Sequence, residues 1–232
     1  MAGRQILFLD ADDTLWENNI YFERAIEHFY ALLGRAAADR AAVRAVINRE
    51  ERREITETGY GLASFRLALE RAFVALAPEA WSPAAGEALD ALATAIAAEP
   101  VELLPGARAV LEDLSARHRL LLLTKGDYAE QTRKLALSGL EPLFEEVHVL
   151  AEKNLAAYQR RLEALAVPPA HCWMIGNSPK SDINPALAAG MNAVFIPHPH
   201  TWVLEHEAIA TAPAPGCCYL TLDRLEDLLI HF

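Results

Sequence analysis

The stretch Phe8-Leu-Asp-Ala-Asp-Asp-Thr-Leu-Trp16 comes after the apolar pair Ile6-Leu7 and sets three carboxylates, Asp10, Asp12 and Asp13, within four residues. Like charges this close repel, and burying them costs free energy unless something positive compensates. In extended backbone, residues two apart share a face. Asp10 and Asp12 can therefore point into one site at the carboxyl end of a strand. Carboxylates so placed can serve as a nucleophile, as an acid and base, or as ligands of a hard cation. The plainer reading is a polar turn after a strand, with Asp12 or Asp13 as a capping residue.

The elements around that stretch decide between the two. Short apolar runs, Ile6–Leu9, Leu120–Leu123, Val147–Leu150, Cys172–Ile175 and Ala193–Ile196, alternate with amphipathic stretches near Ala107–Arg117, Tyr128–Ser138, Leu155–Ala166 and Pro185–Ala189. Near-continuous apolar strands alternating with helices predict an α/β fold, a doubly wound parallel sheet covered on both faces. Such sheets bind ligands at the carboxyl ends of their strands. The interval from Asp10 to Thr124 is far longer than one crossover needs. Within it, candidate helices run over Tyr21–Leu33, Arg40–Thr56, Leu62–Leu76 and Ala84–Ala98, with breaks near Gly34, Thr58-Gly-Tyr-Gly61 and Pro78–Pro83. The expected organisation is a core of residues 1–15 and 99–232 with a helical cap at 16–98. An insertion at that point belongs over the strand ends, as a lid.

Composition bounds the rest. The chain has 232 residues, 53% of them hydrophobic and 23% charged, which suits a globular core with a smaller inserted domain. A formal charge of −11 makes nucleic acid a poor partner. No segment approaches a membrane span, and the opening MAGRQ leads straight into a strand, so a cytoplasmic protein is expected. The oligomeric state is open. Cys172, Cys217 and Cys218 form no disulfide framework and read as inert side chains.

Asp10-x-Asp12-x-Thr14 at the end of the first strand resembles the signature of the haloacid dehalogenase (HAD) superfamily, most of whose members are Mg²⁺-dependent phosphatases. Three further motifs resemble that family in order: Leu121-Leu-Leu-Thr124-Lys-Gly126 ending the second strand, Ala151-Glu-Lys153-Asn before a helix, and Met174-Ile-Gly176-Asn-Ser-Pro-Lys-Ser-Asp182 after the fourth strand. Asn177 stands where the family usually has Asp. The resemblance covers about Arg4–Asp12 and Val101–Pro197, and the insertion resembles the family's helical cap in position and type only.

The resemblance implies a Rossmann-like core with a cap and a phosphatase acting on a small phosphorylated metabolite. Asp10 would be the nucleophile and Asp12 the general acid and later base, with Lys153 completing the catalytic set. Thr124, Lys125 and Thr14 form the implied substrate-binding set, and Thr14 is expected to orient Asp12. Asp10, the Asp12 carbonyl, Asn177 and Asp182 would hold Mg²⁺; Asn offers a neutral oxygen and hence less attraction. Physically, a carboxylate attacking a phosphate ester meets an anion, and a bridging cation removes that barrier. Dehalogenase members lack an acid at the Asp12 position, because a halide needs no proton. A phosphomutase, a dehalogenase and a non-catalytic phospholigand-binding protein are the alternatives.

Other features read more plainly. Lys125 and Lys180 flank the same strand ends and could add positive field, but exposed surface lysine is the simpler reading of each. Asp13 has no assigned role. Pro197-His-Pro-His-Thr-Trp-Val-Leu-Glu-His206 reads as a loop on the core edge, since no carboxylate or cysteine pattern completes a zinc site there. Glu57-Thr-Gly-Tyr-Gly61 is either a substrate-facing loop or an interhelical turn.

Overall fold

The computed structural model describes residues 4–210 and 216–232. Its backbone divides into two compact units, one running to Asn19 and resuming at Val101, the other Ile20–Pro100.

The first unit is built on a six-stranded, all-parallel sheet among the described residues: β1 Ile6–Leu9, β2 Arg119–Lys125, β3 Glu146–Leu150, β4 Cys172–Gly176, β5 Asn192–Phe195 and β6 Tyr219–Thr221, in the order β3-β2-β1-β4-β5-β6. The α/β expectation holds, with β6 added at an edge. Tyr219–Thr221 is too short and too exposed for hydrophobic periodicity to mark it. Along β1, Leu7 and Leu9 face one layer and Ile6 and Phe8 the other, as a period of two requires. Leu7, Leu9, Leu120, Leu122, Ile175 and Val194 pack with Val110, Leu111 and Leu114. Ile6, Phe8, Leu121, Leu123 and Met174 pack with Tyr158 and Leu162. Both faces are dry, which explains why the strands read as unbroken apolar runs.

The second unit is helical: α1 Asn19–Leu33, which begins one residue before it, α2 Arg40–Thr58, α3 Leu62–Leu76 and α4 Pro83–Ala98. The ends are signalled locally. The Asp39 carboxylate accepts from the Ala42 N–H, and the Ser82 hydroxyl from the Ala85 N–H, with Pro83 in the first turn of α4. Phe29, Ile47, Phe65, Leu69, Phe73 and Leu89 form this unit's own core. Gly59–Gly61 is the turn between α2 and α3, with Gly59 and Gly61 at φ 87° and 134°, and Glu57, in the last turn of α2, pairs with Arg53 and Arg71.

In the first unit the remaining helices are α5 Ala107–Arg117, α6 Tyr128–Ser138, α7 Leu155–Leu165, α8 Asn184–Ala188 and α9 Leu228–His231. Leu111 of α5 is fully buried against β1 and β2. Leu111→Ala is expected to destabilise the protein by about 2–5 kcal/mol, measured as a lower urea midpoint at unchanged slope; an unchanged midpoint would contradict this packing.

Candidate active site

The site lies where β2, β1 and β4, the adjacent central strands, end at their carboxyl sides. The Asp10 N–H donates to Ile175 O of β4 at 2.9 Å, so the strand hands its last ladder position to the first aspartate. Asp10 is buried, its side chain 10% exposed. Its Oδ1 accepts from Lys153 Nζ at 2.5 Å and its Oδ2 from Thr14 Oγ1 at 2.9 Å. Lys153 also donates to Asp182 Oδ1 at 2.6 Å. One buried ammonium therefore serves two buried carboxylates. Burial opposes the charge on Lys153, but Asp10 and Asp182 outweigh it and hold its pKa above the usual lysine value. Burial, then the Asp10 charge, pushes Asp182 up to about 7 against the pull of Lys153.

Asp182 reaches this position because the chain turns sharply after β4. Pro179–Ile183 forms a wide π-type turn, with the Ser178 hydroxyl accepting from the Ser181 N–H at 2.9 Å. The Ser178 N–H donates to Asp182 Oδ2 at 2.9 Å, so both Asp182 oxygens are engaged. Gly176 lies directly beneath that carboxylate, and a Cβ there would overlap it. The Gly176 in the motif is thus a packing requirement.

Thr14 departs from expectation. Its hydroxyl donates to Asp10 Oδ2 and lies 3.4 Å from Asn177 Oδ1, so it orients Asp10 and not Asp12. The reason is geometric: Leu15 N–H closes a turn onto Ala11 O at 2.8 Å, which brings residue 14 back over residue 10. Asp12 is held instead by α6 and by Trp16. Its Oδ1 accepts from Lys134 Nζ at 2.5 Å and Trp16 Nε1 at 2.7 Å, and its Oδ2 from Lys134 at 2.7 Å and Gln131 Nε2 at 2.8 Å. Gln131 and Lys134 are three apart on α6 and so share a face. Thr124, buried at the end of β2, lies 3.4 Å from Gln131 Oε1 through its hydroxyl. Sequence reasoning missed Gln131 and Lys134; their spacing on a helix shortly after Thr124 was the available signal.

Lys125 is also not the exposed surface lysine it resembles in sequence. Its side chain is 13% exposed, and Nζ donates to Glu205 Oε1 at 2.7 Å, Ser181 Oγ at 2.8 Å and Glu152 Oε1 at 3.3 Å. Glu205 Oε2 accepts from Ser178 Oγ at 2.6 Å and from Ser181 Oγ. Burial would raise the Glu205 pKa, but Lys125 and the two serines lower it to about 2. Lys180 is exposed, as expected, and reaches Leu204 O.

The His-rich segment after β5 packs on the same strand ends. His198 stands 3.7 Å from Asp13 Oδ1 and 3.5 Å from Glu17 Oε2, so two carboxylates from the β1 turn do accompany it, which its own sequence neighbourhood did not show. Asp13 sits at φ 59° and accepts from the Asn18 and Asn19 N–H groups at 2.9 and 3.0 Å. Its role is to close the turn, and burial, then the Asp12 charge, pushes it up to about 7. Cys172 is buried and its thiol is pushed up to about 11 by burial, consistent with an inert side chain.

Oxygen donors dominate the centre. Asp10 Oδ2 and Asn177 Oδ1 have Thr14 Oγ1 as a common neighbour, and both are the hard type that Mg²⁺ takes. With one ammonium against two carboxylates, a divalent cation fits this donor set and its charge. Among the described residues, no helix is long and apolar enough to cross a membrane.

The strand ends of this parallel α/β sheet thus bring together a buried Asp10–Lys153–Asp182 triad. The family described as haloacid dehalogenase-like hydrolase matches residues 5–190, and the chain belongs to it. The N-acylneuraminate-9-phosphatases of Rattus norvegicus and Homo sapiens are each 27% identical over 124 residues, 51% of this chain and 48% of theirs; the match thus spans about half the length of these curated relatives. A haloacid dehalogenase-like family hydrolase from Xanthomonas campestris has 26% identity and a TM-score of 0.82, covering 99% of this chain and 94% of that one. L-2-haloacid dehalogenase from Xanthobacter autotrophicus shares the fold at 18% identity and a TM-score of 0.63, over 98% of each chain. The HAD-hydrolase YfnB from Bacillus subtilis, whose structure is bound to magnesium, shares it at 21% identity and a TM-score of 0.63, over 99% and 98% of the two chains.

Gly176→Ala is expected to displace Asp182 from Lys153, costing about 1–3 kcal/mol as overpacking and lowering activity as well as the melting temperature. A variant with wild-type stability and rate would show that the carboxylate does not depend on that space.

Proposed function

We propose that this hydrolase is a Mg²⁺-dependent phosphatase of a small phosphorylated metabolite, working through an aspartyl-phosphate on Asp10. The observation that carries the reading is Asp12: a second carboxylate two residues from the buried nucleophile, held by Lys134, Gln131 and Trp16. Displacing a halide needs no such group, whereas an alkoxide leaving from phosphorus needs a proton. The phosphatase names of the curated relatives support the same choice.

Asp10 attacks phosphorus, and the bond to the ester oxygen breaks as Asp12 protonates that oxygen. Water then attacks the phosphoryl group, Asp12 takes its proton, and the bond between the Asp10 carboxylate oxygen and phosphorus in the acyl phosphate breaks to release inorganic phosphate. In the observed geometry both Asp12 oxygens accept hydrogen bonds, as a carboxylate's do, so Asp12 must leave at least one donor and take up a proton from solvent before it can deliver one to the ester oxygen. Thr14 aims the nucleophile, and Lys153 and Thr124 meet the phosphoryl oxygens. Asp182, with both oxygens engaged, positions Lys153. Asp10, the Asp12 carbonyl and Asn177 would hold Mg²⁺, which when bound offsets the charge between carboxylate and phosphate. The helical unit Ile20–Pro100 is the proposed source of substrate selectivity.

Purified protein should hydrolyse p-nitrophenyl phosphate with Mg²⁺ and stop with a chelator. Asp10→Asn should abolish turnover, and Asp12→Asn should lower it by roughly 10²–10⁴-fold. Undiminished activity in Asp10→Asn would sink the mechanism, and turnover of 2-haloacids in place of phosphate esters would move the chain to the dehalogenases. Asn177→Asp should tighten Mg²⁺ binding by adding a charge; identical titrations of the two forms would remove Asn177 from the coordination set.

A further inference from the structure

Asn177 can ligate a cation only through its carbonyl oxygen, so the orientation of its amide matters in a way that an aspartate's would not. The Asn177 Nδ2 group donates to Thr201 Oγ1 at 3.0 Å. The Thr201 hydroxyl proton is itself committed to His198 O at 3.0 Å, which leaves Thr201 Oγ1 as the acceptor for the amide. Turning the amide over would place Oδ1 against an oxygen whose proton points elsewhere, a part-buried pair of acceptors that disfavours the flipped form. Thr201 thus turns Oδ1 toward Thr14 and Asp10.

Four residues further along, Glu205 acts on the same turn. Its carboxylate, 7% exposed for the residue as a whole, takes both Ser178 and Ser181 hydroxyls and the Lys125 ammonium. Ser178 and Ser181 bracket the turn that carries Asp182, and Tyr158 Oη holds Ser181 O at 2.9 Å. Lys125 directly follows Thr124. The segment after β5 therefore ties together the ends of β2 and β4, and it lies beyond residues 5–190, where the family match stops.

We propose that Thr201 and Glu205 are positioning residues for the magnesium site: Thr201 selects the carbonyl face of Asn177, and Glu205 locks the Ser178–Asp182 turn to Lys125. This also assigns Lys125 to the lock and not to the phosphate. The proposal rests on the metal reading of Asn177 given above.

The test is calorimetric titration of MgCl₂ into wild type, Thr201→Val, Thr201→Ser and Glu205→Gln, with circular dichroism to check folding. Thr201→Val and Glu205→Gln should bind Mg²⁺ roughly 10–100-fold more weakly, while Thr201→Ser, which keeps the hydroxyl, binds as wild type. With p-nitrophenyl phosphate, kcat at saturating Mg²⁺ should fall less than the affinity does. Wild-type affinity in Thr201→Val and Glu205→Gln overturns the proposal, as does Thr201→Ser weakened equally with Thr201→Val. If Glu205→Gln does not fold, the two Thr201 variants decide. Wild type that binds no Mg²⁺ overturns both this proposal and the metal reading. Wild type that binds Mg²⁺ but hydrolyses no phosphate ester overturns only the phosphatase reading.

Discussion

The structure of the site depends on one shared ammonium. Lys153 donates to Asp10 and Asp182, all three buried. A charge removed from water is tolerated only when it is paired and hydrogen-bonded, and loss of one partner from such a group costs about 3–5 kcal/mol. Every neighbouring feature serves that condition. Gly176 leaves room for Asp182, the Ser178 N–H takes its second oxygen, and the Thr14 hydroxyl takes the second oxygen of Asp10. The triad still carries more negative than positive charge. A cation at the Asp10 and Asn177 oxygens would complete it, and an anionic substrate would otherwise be repelled.

Strand order turns this local balance into a site. With β1 between β2 and β4, Asp10 has Thr124 on one side and Asn177 on the other. A hydrophobic sheet buried on both faces leaves its strand ends as the natural place for polar groups to converge. The α6 helix then gives the two aspartates different partners. Lys134 and Gln131 engage Asp12, while Lys153 engages Asp10, so neighbouring carboxylates of identical chemistry meet different donors.

Much of this was legible in the residues. Five of the six strands and the four inserted helices announced themselves through apolar runs, alanine-rich periodicity and Gly or Pro breaks, because those signals are local. β6 was not legible, since three half-exposed residues carry no period. Lys125 resembled a solvated lysine, and nothing singled out Lys134, because a lysine's sequence neighbours say nothing about a carboxylate brought in from elsewhere in the chain. Glu205 and Thr201 stood in a segment whose histidines drew attention, while its hydroxyl and carboxylate made the contacts to Asn177, Ser178 and Ser181.

The sequence by itself determined the α/β class, the strand-end location of Asp10 and Asp12, and the order of the motifs that place this chain among haloacid dehalogenase-like hydrolases. Periodicity and spacing set the first two and the motifs act through resemblance to the family, and all of these signals lie along the chain. Only the tertiary structure decided that Thr14 serves Asp10, that Asp182 is spent on Lys153 and Ser178, that Lys134 holds Asp12, and that Lys125 pairs with Glu205. Which donor meets which carboxylate is settled by distances between residues far apart in sequence, and under burial each such pairing must be satisfied.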